Sequence, residues 1–390
     1  MIRVLHVITG LEHGGAERQL ALLLPHLPPD VACEVVSLTR TGTVGAEIAA
    51  AGVPVHELGM GGNRDLAALP RLVRLIRRGR YDVVHTHLYR ACVYGRLAAR
   101  LAGSGPRRTP PRIIATEHSL GDGHLEGRRT TRGVRALYLA TERLGSLTIA
   151  VSPTVARRLY AWGVAPERVV VVPNAVDAAA FAFDPARRTA ARAALGLAPG
   201  EPVVGAVGRL VPTKRFDLLV DALARPALAG VRLLIVGDGP QRHALDRIAA
   251  ARGVADRVVL AGGTADVAGA LAAMDVLAAP SVQETFGLGV LEGLAAGLPV
   301  LYTACPALDD LPSGEAPGAR RLPPAADADR WSAELARLLP SGARARAAVP
   351  PAVARRHAVA DQAARLARLY AGGPAGGADR APTTREVIST

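Results

Sequence analysis

The chain has 390 residues, 49% hydrophobic and 21% charged, with 41 glycines, 29 prolines and only 3% aromatics. That length and apolar content exclude collagen-like, disordered and small disulfide-stapled classes, and favour two domains with cores of Ala, Val and Leu. The formal charge of +13 invites anionic partners, yet Lys214 is the only lysine among 47 basic residues, and so chain-wide an arginine bias weakens net charge as an argument for nucleic acid or lipid.

Three cysteines, Cys33, Cys92 and Cys305, lie far apart without CxxC spacing. They imply neither a disulfide framework nor a zinc site, and the expected setting is reducing and cytoplasmic. The N-terminus meets Glu12 and His13 too soon for a signal-peptide core. The longest apolar candidate, Gly287 to Ala304, is broken by Glu292 and Pro299, so no membrane span is expected.

Along the chain, short apolar runs alternate with helix-length amphipathic segments, the pattern of βαβ units and parallel sheets. Strands are predicted at Arg3–Ile8, Cys33–Leu38, Pro54–Leu58, Asp82–Thr86, Arg112–Thr116, Leu147–Val151 and Val169–Val172, with helices such as Ala16–Leu27 and Leu88–Leu101 between them. Residues 1–173 read as one doubly wound domain. A looser Ala/Arg-rich stretch, 174–200, reads as a linker region. Strands at Val203–Val207, Arg232–Val236, Val258–Leu260, Val276–Ala279 and Pro299–Tyr302 give a second doubly wound domain, 201–371, closed by a helix at Val353–Tyr370. The polar, Gly/Pro-rich tail, 372–390, is expected to be disordered. Two such domains are expected to face each other across a ligand-binding cleft.

The most informative stretch runs from Pro280 to Glu292, Pro-Ser-Val-Gln-Glu-Thr-Phe-Gly-Leu-Gly-Val-Leu-Glu. It ends a strand, crosses a glycine loop and enters a helix. Glu284 falls at the carboxyl edge where α/β sheets bind ligands, and Glu292 inside the helix. The backbone N–H groups of Phe286, Gly287 and Leu288 would open toward an anion. Carboxylates for hydroxyls and a helix N-terminus for phosphate suit a sugar nucleotide. Arg209 and Lys214, in Val207-Gly-Arg-Leu-Val-Pro-Thr-Lys214, lie on another strand-to-helix loop, which is not a P-loop.

In the first domain Gly10-Leu-Glu-His-Gly-Gly-Ala-Glu-Arg18 joins strand to helix, and Gly14 and Gly15 allow close backbone approach to a ligand. Glu17 either caps that helix or meets substrate. His85 and His87 share one strand face, but no third ligand is evident, so a polar support or acceptor contact is preferred to a metal. His118, in Ala-Thr-Glu-His118-Ser, follows the next strand. Asp238 and Gly262-Gly263-Thr264 sit on turns after strands.

The Glu284–x7–Glu292 spacing, framed by Pro280-Ser281 and Gly297-Leu-Pro-Val300, resembles the retaining glycosyltransferases of family 4, over about residues 1–371. The resemblance implies a GT-B fold, a metal-independent, cofactor-free transfer of a hexose from a nucleoside diphosphate sugar, UDP-linked by preference, and no enzymic nucleophile. It places Glu284 and His118 beside the donor sugar, Glu292 on the ribose, Arg209 and Lys214 on the diphosphate, Gly15 near donor phosphate and Gly263 near the base. After Pro299-Val-Leu-Tyr-Thr303 the family's usual Gly-Gly loop is replaced by Ala304-Cys-Pro-Ala-Leu-Asp-Asp-Leu311, which leaves donor-sugar preference open.

Segments Gly62-Asn-Arg-Asp-Leu66, His85-Thr-His-Leu-Tyr89 and Thr116–Glu126 are similar to second-step glycosyltransferases of aminoglycoside antibiotic pathways. An aminocyclitol or pseudodisaccharide acceptor is the reading that follows, with His87, Glu117, Asp122 and Glu126 as contacts. The rival acceptor is a membrane lipid, because Arg71, Arg74, Arg77, Arg78 and Arg80 line one helix that could rest on anionic headgroups. A sugar-nucleotide epimerase or a non-catalytic nucleotide-binding protein are the remaining alternatives. Nucleic acid is not expected, since no recognition motif or aromatic platform accompanies the charge.

Overall fold

The computed structural model describes residues 1–12, 14–62, 65–104, 109–126, 128–309, 311–312, 314–339, 346 and 352–373. From residue 374 onward the expected tail lies outside the described residues. Two compact units emerge, Met1–Ala175 with Val359–Thr390, and Val176–Ala358.

The first unit is built on β1 (Ile2–Ile8), β2 (Val31–Ser37), β3 (Val55–Glu57), β4 (Val83–His87), β5 (Arg112–Glu117), the hairpin β6 (His124–Leu125) and β7 (Arg128–Arg129), β8 (Leu147–Ala150) and β9 (Val169–Val171). All but the hairpin form one parallel sheet in the order β3-β2-β1-β4-β5-β8-β9. Its strands are β-branched runs buried on both faces, as helical crossovers demand. Helix Ala68–Gly79 turns Leu72, Val73 and Ile76 into the core, which leaves Arg74, Arg77, Arg78 and Arg80 outside.

The second unit carries β10 (Val203–Val207), β11 (Arg232–Val236), β12 (Val258–Gly262), β13 (Val276–Ala279), β14 (Val300–Tyr302) and β15 (Ala319–Arg321), parallel throughout, in the order β12-β11-β10-β13-β14-β15. In each sheet the winding reverses once, between β1 and β4 and between β10 and β13. Open α/β sheets bind ligands outside the carboxyl ends of the two strands that flank such a reversal.

The expected strands are present within two residues at most ends, while β15 and the hairpin escaped the sequence reading. Two boundaries need correction. The predicted helix Val353–Tyr370 is two helices, Ala352–Arg356 and Val359–Tyr370, and the second belongs to the first unit. Leu366, Leu369 and Tyr370 pack there with Val4, Val83 and Ile114, and Arg112 donates to the carbonyls of Leu369 and Tyr370 at 2.7 and 3.1 Å. The 174–200 segment is not merely a linker either. Its helix Pro185–Ala194 carries Arg192, buried, which donates to the carbonyls of Ala273, Ala198, Pro199 and Glu201 and to Asp275. Asp275 in turn accepts from Val203 N, at the first residue of β10.

Removing a guanidinium that serves so many buried acceptors leaves them unsatisfied. Arg192→Ala is therefore expected to lower the unfolding free energy by about 3 kcal/mol in urea titrations, and Arg192→Lys, a point charge without the fork, to recover little of it.

Candidate active site

At the β10/β13 reversal the loops that leave the two strands approach each other. Val282 N donates to Thr213 O at 3.0 Å, and Lys214 Nζ donates to Glu284 Oε1 at 2.5 Å. Both side chains are about four-fifths buried, 24% and 17% exposed, enough to strengthen the pair and still leave it reachable. The lysine stem crosses Gly208, where φ is +146° and a Cβ would come within 3.3 Å of Lys214 Cε. Glycine there both supplies the positive φ and clears the way. Arg209, next in sequence, is exposed.

Downstream of Glu284, Phe286 is buried against the edge of His357, and Gly287, at φ +100°, precedes helix Leu288–Ala295 as its N-cap. The first N–H groups of a helix lack intrahelical acceptors, so this end suits an anion. Glu292 lies one turn further, half-buried. Beneath Gly287 sits Cys305, in the segment that departs from the family pattern. It is fully buried, with Sγ 3.5 Å from Phe286 O and 3.8 Å from Gly287 O. Burial, and then the neighbouring Glu284, hold its thiol well above the usual range. Gly263 N donates to Asp238 Oδ2 at 2.7 Å, which laces the turns after β11 and β12 together and engages that N–H within the fold.

In the first unit, parallel register sets His6 of β1 beside His85 of β4, and His87 follows on the same face. His6 Nδ1 meets His87 Nε2 at 3.0 Å, and His87 Nδ1 meets His118 Nε2 at 3.2 Å. His85 bonds Tyr370 Oη and Thr116 Oγ1, both at 2.7 Å. His6 is the member that sequence reasoning missed, although its place opposite His85 on adjacent parallel strands was the available signal. Ligand-type nitrogens of His6, His85 and His87 lie within 4.8 Å of one another, yet both nitrogens of His85 and of His87 already have hydrogen-bond partners. Desolvation lowers the histidines to about 3 for His6 and about 4 for His118, and holds His85 and His87 well below 6.5. They are neutral imidazoles.

His118, expected beside the donor sugar, follows β5 directly and joins the histidine cluster. Nε2 faces His87, and Nδ1 is buried. The three acidic residues differ in their surroundings. Glu117 is buried, accepts from Ser119 N and is pushed up to about 7 by desolvation. Asp122 is exposed and paired with Arg158 at 2.8 Å, and Glu126 accepts from Tyr89 N at 2.8 Å. Gly15 is exposed at the start of its helix, and the Glu17 carboxylate lies against Gly14 at that helix end, a capping position.

Two Rossmann-like parallel sheets, each with its reversal and a polar cluster at the carboxyl edge, define the GT-B architecture. Alr3699/HepE from Anabaena, solved with UDP and glucose, has the same fold, with a TM-score of 0.78 at 21% identity over 95% of this chain and 100% of that one. The pattern of Glycosyltransferase Family 4 matches residues 13–180, and that of Glycosyl transferases group 1 matches 201–341. The chain is 32% identical over 325 residues to D-inositol 3-phosphate glycosyltransferase of Streptosporangium roseum, covering 79% of this chain and 73% of that protein. It is 34% identical over 247 residues to 2-deoxystreptamine glucosyltransferase of Streptomyces kanamyceticus, 60% of this chain and 62% of that one. Against two further D-inositol 3-phosphate glycosyltransferases, of Segniliparus rotundus and Mycobacterium marinum, the chain spans 60% of their length. The chain belongs to the family 4 glycosyltransferases. Among the described residues no helix is long and apolar enough to cross a membrane.

Two outcomes follow. A Cβ at position 287 would collide with Cys305 Sγ in a backbone region that side chains avoid, so Gly287→Ala should cost about 2 kcal/mol in thermal or urea unfolding. The second is a pH dependence. A histidine buried neutral has a folded pKa below its unfolded 6.5, so the unfolded chain binds more protons and stability is complete above 6.5 and lost as pH falls. Glu117, raised from 4.5 to about 7, acts in the opposite sense, one group against four. Stability should drop from pH 6.5 to 5, and the double variant His6→Gln, His118→Gln should flatten that slope by up to about 2.7 kcal/mol per pH unit in urea titrations.

Proposed function

We propose that this chain is a retaining, metal-independent hexosyltransferase that uses a nucleoside diphosphate sugar, UDP-linked by preference, and glycosylates a hydroxyl of an aminocyclitol or an aminocyclitol-containing pseudodisaccharide. The observation that carries the reading is the Lys214–Glu284 pair at the β10/β13 reversal. A diphosphate calls for a cation, the hydroxyls of a sugar are matched by a carboxylate, and here one hydrogen bond holds both groups ready. The helix N-terminus after Gly287 adds positive potential for phosphate. In this reading Arg209 joins Lys214 on the diphosphate, Glu292 takes the ribose, and the cations stabilise charge that grows on the leaving group. The departing phosphate takes the acceptor proton on the face it leaves, which retains the anomeric configuration.

Support for UDP comes from the Anabaena neighbour, solved with UDP and glucose. Support for a cyclitol acceptor comes from the names of the relatives, whose D-inositol 3-phosphate and 2-deoxystreptamine are both hydroxylated six-membered carbocycles. Asp122 and Glu126 give the first unit carboxylates for ammonium groups. His118 serves this reading as a positioning residue. A lipid acceptor is less favoured because the apolar side chains of Ala68–Gly79 are spent on the core. The three free thiols support the reducing, cytoplasmic setting that belongs to the proposal.

The test is transfer from UDP-glucose to 2-deoxystreptamine and paromamine-like acceptors, with the product's anomeric configuration read by NMR. A retained glycoside is expected, and Lys214→Ala should lower kcat/KM by about 10²- to 10³-fold while shifting stability by no more than about 1 kcal/mol. An inverted product, unchanged transfer by Lys214→Ala, or conversion of donor without acceptor would overturn the reading.

A further inference from the structure

The three linked histidines end in two buried nitrogens. His6 Nε2 and His118 Nδ1 find no hydrogen-bond partner among the described residues, and neither does Gln362 Oε1. His6, His118 and Gln362 line one cavity of about 30 Å³, together with Gln19, Leu20 and Asn174 among others. That volume accommodates a water molecule, which requires two to four polar partners, and three converge here.

The chemistry of the imidazole restricts what can sit there. A neutral ring has one N–H and one lone pair, so hydrogen bonds from His6 to His87 and from His87 to His118 must run in one direction. If His6 donates to His87 and His87 to His118, all three rings are protonated on Nδ1, and the chain ends in a donor at His118 and an acceptor at His6. If the direction reverses, all three are protonated on Nε2 and the ends exchange roles. In neither case are both ends lone pairs, so a cation cannot take both without breaking the chain. A water satisfies either case. It accepts from the end that carries a proton, donates to the other end, and gives its second hydrogen to Gln362 Oε1, which only accepts.

We propose that a buried water closes His6, His87 and His118 into a hydrogen-bonded ring, and that His6 and His87, through this ring, fix the orientation and tautomer of His118 and hence the start of the loop after β5. Their role in transfer rests on the function proposed above, but the ring itself does not. His85, held between Tyr370 and Thr116, packs against His87 with ring centroids 4.2 Å apart and keeps that ring from turning. A sequence reading sees His85-Thr-His87 as a pair of strand residues; only the register of β1 against β4 supplies the third ring.

Long-range ¹H–¹⁵N correlation spectra of the full chain at pH 7.5, with and without one equivalent of Zn²⁺, test this. The expected result is one tautomer shared by His6, His87 and His118, cross-relaxation from a long-lived water to the His6 and His118 rings, and no change with Zn²⁺. Mixed tautomers in the three rings, no water contact, or stoichiometric Zn²⁺ binding would overturn the proposal, whatever the enzyme transfers. In the transfer assay His87→Phe should lower kcat at least tenfold with donor KM within twofold. His87→Asn, which keeps a polar group toward His118, should recover most of the loss. Equal loss in both variants would reduce the ring to a packing feature and contradict the positioning role.

Discussion

The hydrogen bond between Lys214 and Glu284 depends on nearly everything else in its unit. A lysine and a carboxylate 70 positions apart meet because β10 and β13, though not consecutive, are neighbours at the one place where the sheet changes winding direction. Helices that follow strands on opposite sides of that reversal leave a crevice that neither fills. Gly208 opens the path of the lysine stem, and Arg192 with Asp275 anchors the first residue of β10 to the turn before β13. The pair thus reports the integrity of the whole sheet edge, and its strength derives from partial burial rather than from contact alone.

The two units apply the same topology to different chemistry. In the second, the reversal gathers a cation, carboxylates and a helix N-terminus, groups suited to charge and hydroxyls. In the first it gathers neutral imidazoles, a phenol and a threonine hydroxyl, buried and mutually hydrogen-bonded. Burial makes the difference. Desolvation keeps the imidazoles neutral, so that cluster orders its surroundings through directional hydrogen bonds, whereas Lys214 and Glu284, about four-fifths buried, keep a charged pair within reach of the surface.

Much of this was legible in the amino-acid order. Short Val- and Ile-rich runs marked the buried parallel strands, and Glu284 with Glu292 stood out because a strand, a glycine loop and a helix framed them. What escaped depended on distant contacts. Tyr370 and Leu366 carry ordinary helical periodicity, and nothing local says that their helix returns to the first unit, where Val4 and Ile114 await it. His6 hid inside an apolar strand because its meaning depends on register with His85. Glu117 reads as an acceptor contact after a strand, but it ends β5 with its carboxylate buried. Burial of a polar side chain is a tertiary fact, visible only once the neighbours are in place.

The central claim, that the β10/β13 reversal is built for the diphosphate of a sugar nucleotide, is tested most directly by calorimetric titration of UDP, GDP, ADP and TDP into wild type and Lys214→Ala. The account predicts saturable 1:1 binding of one nucleotide, with UDP favoured, and affinity at least tenfold weaker in the variant. Equal affinity in both proteins, or no binding of any nucleotide at millimolar concentration, would contradict it.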